Sequence, residues 1–185
     1  MTLGVQARGN SSLRIATLRR RMTALAVPLF LCATAGAALP ADCKQSNAVY
    51  ADRDGAYELR FSPLESDAAA ASNQFKISVQ KTSLVLDGYV MPSEDPDRAI
   101  GIVMFNCPSG DVTGDDLDAC TVWQGPVYGV SAAGQVDNLQ AESAGAADRI
   151  VLPGLGPAIR ESSIWGEGKA TIAPWDVMTF KECAK

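Results

Sequence analysis

The sequence contains no histidine. That absence excludes Ser-His-Asp and Cys-His nucleophile sites, HExxH zinc sites, Cys2His2 fingers and imidazole switching near neutral pH. It also lacks a C-x-x-C pair, which removes the usual zinc and thioredoxin-like spacings. Nothing repeats at a fixed period. Long apolar runs are missing too: the stretch Ala24 to Ala33 is interrupted by Pro28 and falls short of the roughly 20 residues a membrane span needs.

What precedes and follows that short run reads as an address. Before Asp42 stand Arg8, Arg14, Arg19, Arg20 and Arg21 without one acidic residue, and after the run come the small residues Ala35-Gly36-Ala37-Ala38. A basic region, a short apolar region and a small-residue cleavage site are the parts of a secretory signal. The expectation is therefore a signal peptide over residues 1–38 and a single exported domain over 39–185, periplasmic or secreted, with no stable membrane insertion after cleavage. Neither Cys32 nor Cys43 follows a lipobox. Arg19-Arg20-Arg21 continues into Met22-Thr23-Ala24, a poor match to a twin-arginine signal, and a start at Met22 would strip the apolar run of its positive flank.

Cleavage after Ala38 would leave 147 residues, long enough to bury a real core. It would remove five of the sixteen basic residues and none of the 21 acidic ones, so eleven basic side chains would face 21 acidic and the net charge would be −10. Such a domain repels nucleic acid and anionic headgroups. A basic protein is its electrostatic complement.

Cys32 would leave with the signal, and the remaining Cys43, Cys107, Cys120 and Cys183 form an even set, which in an oxidising compartment reads as disulfides. Three pairings are possible. Sequence proximity favours Cys107 with Cys120, and end-to-end closure favours Cys43 with Cys183.

Ala56-Tyr57-Glu58-Leu59-Arg60-Phe61 alternates strictly, as a half-buried strand does, and Asp54-Gly55 before it is a hairpin signal that makes Ala48-Val49-Tyr50 its partner. Phe75 to Gln80 alternates again. Leu84 to Val90 resumes the pattern but meets Asp87-Gly88, where a bulge or turn is expected. Pro92 to Arg98, with two prolines and three acids, reads as a polar turn or loop. Ala99 to Phe105 is apolar enough for a strand buried on both faces. Thr121 to Trp123, Val127 to Val130, Ile150 to Leu152 and Trp175 to Cys183 are further strand candidates. Residues 131–148 read as a loop or frayed helix, and Ala158 to Glu161 as a helical turn. About seven strands separated by turn signals predict an all-β antiparallel sandwich or barrel with minor helix, stapled by disulfides.

Chemistry-bearing patterns are few. Ser78-Val79-Gln80-Lys81 matches the S-x-x-K string of Ser-Lys acyl enzymes, but on a strand residues three apart point to opposite faces. Asp111, Asp115, Asp116 and Asp118 crowd the segment between Cys107 and Cys120. They make an acidic interaction loop; an oxygen-rich loop of this kind also suits Ca2+, although the EF-hand order is missing, and no other cofactor is implied. Among Trp123, Trp165, Trp175, Tyr57, Tyr89 and Tyr128, Trp165 is the best surface candidate, because Gly166-Glu167-Gly168 follows it.

In size, leader, acidity and terminal cysteines the chain is similar to small periplasmic lysozyme inhibitors, with no inhibitory-loop motif matched residue by residue. The reading is an exported binding or interaction domain without enzymatic activity that engages a basic protein. The alternative is a small carboxylate-dependent hydrolase acting on a carbohydrate, which requires two carboxylates and an aromatic wall in one pocket.

Overall fold

The computed structural model describes residues 42–65, 70–110 and 113–184. The expected leader and Asp111 lie outside them. The described chain is all-β with two short helices. Its strands are β1 (Ala48–Asp52), β2 (Tyr57–Ser62), β3 (Asn73–Val79), β4 (Val85–Glu94), β5 (Asp97–Met104), β6 (Thr121–Pro126), β7 (Tyr128–Val130), β8 (Val136–Asn138), β9 (Arg149–Val151) and β10 (Val177–Cys183). Helix α1 spans Gly114–Cys120 and α2 spans Leu155–Glu161.

These strands form one antiparallel sheet in the order β6-β5-β4-β3-β2-β1-β10-β9-β7-β8. The sheet nearly closes on itself, because β6 and β7 are one run of chain broken at Val127. The first half pairs with β5 and the second with β8 and β9, at the other end of the order. Val127 bridges the break: its amide donates to Ala99 O at 2.8 Å and its carbonyl accepts from Leu139 N at 3.2 Å. Near-closure leaves little free edge.

Alternation decides what the sheet encloses. Tyr57, Leu59 and Phe61 on β2 face Val79, Ile77 and Phe75 on β3, and all six are buried. The same inward face continues through Leu86, Val103 and Trp123. Fully burying each large apolar side chain contributes about 1.5–3 kcal/mol relative to exposure. Gly55 supplies the positive φ, +65°, that the β1–β2 turn requires.

Both predicted disulfides are present. Cys43 meets Cys183 with a Cα–Cα distance of 5.7 Å, beside the pairing of β1 with β10, and Cys107 meets Cys120 at 5.2 Å.

Four local expectations are corrected. At Asp87-Gly88 the strand does not break: Gly88 lies under the Phe75 ring of β3, where a Cβ would come within 2.2 Å of Cε2, so the glycine makes room for a neighbour rather than a turn. The predicted loop at Pro92 is strand as well. In the Pro92–Ala99 pair, Ala99 turns its amide toward Asn138 Oδ1 and its carbonyl toward Val127 N, away from β4. The nitrogen of Pro92 therefore also points away from β5, toward a side where pairing with β3 has ended at Val90, and no donor is needed. Residues 131–148 are loop, as one of the two expectations had it, but the loop is interrupted by strand β8 and contains no helix. Finally, β5 is not buried on both faces: Ala99, Gly101 and Val103 are, whereas Ile100, Ile102 and Met104 on the outer face are only half-buried.

Candidate functional site

The half-covered outer face of β5 is where apolar side chains remain available. Register places Tyr89 opposite Ile102 and Met91 opposite Ile100, so β4 and β5 present Tyr89, Met91, Ile100, Ile102 and Met104 together. Leu117 of α1 stands over one end of this face, 37% exposed. Of these, Tyr89, Met91, Ile102, Met104 and Leu117 line, with Ala70 and Ala71, a groove of about 340 Å3 that has no charged side chain among the described residues.

Helix α1 exists because of a capping box that reads Thr113-x-x-Asp116. Asp116 N donates to Thr113 Oγ1 at 3.3 Å, while the Asp116 carboxylate accepts from the Thr113 amide at 3.0 Å and hydroxyl at 2.7 Å. Hydrogen bonds from the Thr113 side chain, then its backbone, hold the Asp116 carboxyl below its ordinary value. The segment expected to be an acidic loop is thus in large part a helix, which runs directly into β6 and is tied by the Cys107–Cys120 disulfide to the segment that follows β5. None of its residues is buried. Asp115 and Asp118 are exposed on it, and among the described residues neither enters an ion pair. Asp116 is committed to the cap. Among the described residues no group of three or more Cys, Asp or Glu gathers as metal ligands would.

The other end of the groove is also acidic. The β4–β5 hairpin tip carries Glu94, Asp95 and Asp97, all exposed and, among the described residues, in no ion pair. The tip lies beside β8, where the Asn138 side chain donates to Asp97 O at 3.4 Å. Seven residue steps of β5 separate this tip from α1, roughly 23 Å at strand rise. Sequence reasoning saw these acids only as turn formers. The signal that would have set them at the opposite end of β5 from α1 is the alternation continuing through Pro92, which extends the β4–β5 hairpin to its tip.

The tryptophans are distributed differently from expectation. Trp165 is half-buried against the core with the Arg160 guanidinium 5.4 Å from its ring, whereas Trp175 is the exposed one, at 47%. Even there the chain serves itself: Arg53 sits 3.7 Å from the Trp175 ring centroid, and the indole Nε1 donates to Asp54 at 2.8 Å. That bond, followed by the one from Arg53, lowers the Asp54 pKa. Trp123 is core, its Nε1 donating to Pro153 O at 3.0 Å. Neither Trp165 nor Trp175 lines the groove. Ser78 lies on β3 and Lys81 in the turn after it, at φ +63°, and among the described residues no hydrogen bond joins them.

The fold thus defines a disulfide-stapled, nearly closed antiparallel β-protein with an apolar outer groove between two acidic ends. Compared with known proteins, the chain matches no family model, no curated protein and no solved structure. Its disulfides, and the lack among the described residues of a helix long and apolar enough to cross a membrane, are compatible with an extracytoplasmic protein.

Proposed function

We propose that the chain is an exported, non-catalytic binding domain, periplasmic or secreted, whose partner is a basic protein seated on the outer face of β4 and β5. The observation that supports this reading is the arrangement of that face: a groove that is apolar and uncharged among the described residues, with carboxylates at both ends that enter no ion pair among them. Each part has a separate task. Asp115, Asp118, Glu94, Asp95 and Asp97 raise the encounter rate with a cationic surface, while Tyr89, Ile102 and Leu117 supply the desolvated centre that sets the lifetime of the complex. Met91 and Met104 let the centre adjust to an irregular partner.

A cationic lysozyme is the natural probe, because the resemblance to lysozyme inhibitors and the acidic charge point the same way. Equilibrium binding should be tight for the parent chain, weakened at least tenfold by Met91→Glu with Leu117→Asp, and weakened at high salt by Asp115→Asn with Asp118→Asn far less than at low salt. Binding indifferent to the groove substitutions would remove the reading.

The hydrolase alternative draws on one feature: Asp137 and Asp148 line the same cleft beside β7 and β8. Among the described residues that cleft has no aromatic lining, so nothing there supplies the wall that would seat a sugar ring for cleavage. Binding is the better-supported reading for both surfaces.

A further inference from the structure

The two disulfides stand in different surroundings. Cys43 is 2% exposed, and Cys183 packs against the core. Cys107 and Cys120 are both half-buried, and among the described residues neither packs into that core. A hollow of about 330 Å3 opens beside this second pair. Cys120 lines it together with Asn106, Pro108 and Ala119, whereas Cys107 is not part of the lining.

What the short bridge holds also differs. The Phe105 amide donates to Cys120 O at 2.9 Å, so the backbone at Cys120 is fixed to the end of the β5–β6 ladder independently of its sulfur. The rest of α1 has weaker ties. None of its residues is buried, and among the described residues its side-chain hydrogen bonds stay within residues 113–121. Leu117, which lines the apolar groove with Ile102 and Met104, is carried on this helix. The link from Cys120 back to Cys107 closes the segment into a short loop and so keeps Leu117 over the groove.

We infer that Cys107–Cys120 is a redox modification site, opened by a dithiol reductant that attacks Cys120 from this hollow, and that opening it releases Leu117 from the apolar groove. A thiolate of the reductant bonds to Cys120 Sγ as the bond between Cys120 and Cys107 breaks, and Cys107 leaves as a thiolate that takes up a proton. The reductant's second thiolate then attacks the mixed disulfide at the reductant's own sulfur. Cys120 leaves and is protonated in turn, and the reductant departs as a disulfide, having passed two electrons and two protons to the chain. Access directs this chemistry to the short bridge, because exchange needs an approach to a sulfur, which burial denies at Cys43. Charge selects the reagent. Asp116 lines the hollow, and Asp115 and Asp118 are exposed on the same helix, so a cationic or uncharged thiol is favoured over an anionic one. The inference holds whether or not a basic protein is what occupies the groove.

The test treats the folded, oxidised chain with cysteamine and, in parallel, with 2-mercaptoethanesulfonate, a thiol of similar size and opposite charge, followed by acid quenching and peptide mapping. Cys107–Cys120 should open roughly tenfold faster than Cys43–Cys183, or more, with the first adduct on Cys120. Corrected for thiolate fraction, cysteamine should react about threefold faster than the sulfonate, and high salt should narrow the gap. Dithiothreitol, at a dose that leaves Cys43–Cys183 intact, carries the exchange through to two free thiols. It should raise amide exchange in residues 114–120 and shift Ile102 and Met104 in the 15N-labelled chain, while Leu59 and Ile77 stay protected. Opening of the terminal bridge first or at an equal rate, a first adduct on Cys107, equal rates for the two thiols, or unchanged exchange in α1 after reduction would overturn the inference.

Discussion

The two disulfides close loops of very different length, and the consequence can be put in numbers. Cys43–Cys183 spans a sequence separation of 140, and Cys107–Cys120 a separation of 13. In the chain-entropy treatment the first restricts the unfolded chain by about 5 kcal/mol and the second by about 3 kcal/mol. Replacement by alanine suits the test, since Cys43 is 2% exposed and serine would bury a hydroxyl there. Cys43→Ala with Cys183→Ala should therefore lower the melting temperature by roughly 10–20 °C, against roughly 6–12 °C for Cys107→Ala with Cys120→Ala. The structure adds a qualitative difference. Without its terminal bridge the chain still has β10 paired between β1 and β9, so unfolding remains one cooperative event at lower stability. Without the short bridge, α1 loses its tether while burying none of its own residues, so α1 should open before the sheet does. Urea unfolding followed by tryptophan fluorescence, which reports buried Trp123, separates the global events, and amide exchange in residues 114–120 detects the local one. A larger loss from the short bridge than from the terminal one, or a terminal-bridge cost below about 2 kcal/mol, would refute the loop-length reasoning.

Other substitutions probe packing and titration. Gly88→Ala should destabilise by about 1–3 kcal/mol in urea unfolding, because its Cβ must displace the Phe75 ring, and its cost should shrink when Phe75→Leu is already present. Burial raises the Tyr50 hydroxyl, and burial with the nearby Asp52 charge pushes Tyr57 up to about 12. For Tyr57 the folded value exceeds the unfolded 10.0, so the neutral form stabilises the fold below pH 10 and that contribution is lost as pH rises toward 12. Ultraviolet titration should show both tyrosines ionising late and together with unfolding. Asp116 runs the other way: its lowered pKa stabilises α1 above the unfolded value and is lost as pH falls through the folded one. Asp116→Asn should therefore raise amide exchange in α1 at neutral pH, whereas Asp115→Asn and Asp118→Asn should leave it unchanged.

Much of the sheet was legible because its inward face obeys the simplest rule. Tyr57, Leu59 and Phe61 alternate with charged residues, and the chain pairs them with the alternating Phe75, Ile77 and Val79. The cysteine pairing was legible for a related reason: the first and last described strands, β1 and β10, are neighbours, and the two nearer cysteines bracket one short connection. Reading failed where a local signal is answered by a distant residue. Gly88 reads as a breaker until the Phe75 ring is seen above it, and Pro92 reads as a stop until Ala99 is seen to face β8 and Val127. Near-closure was hidden in Thr121 to Val130, whose halves pair with opposite ends of the sheet, which no local pattern records. The acidic cluster was legible as charge, but its capping box was overlooked, and with it the division of labour between Asp116 and its neighbours.

The central claim is that a basic protein is seated on the outer face of β4 and β5. It is tested most directly by the footprint of a cationic lysozyme on the 15N-labelled chain at low salt. The account predicts shifts or broadening at Tyr89, Met91, Ile102, Met104 and Leu117, spreading to the acids of α1 and the hairpin tip. A footprint confined to other strands, or none at concentrations that saturate a micromolar site, would contradict it.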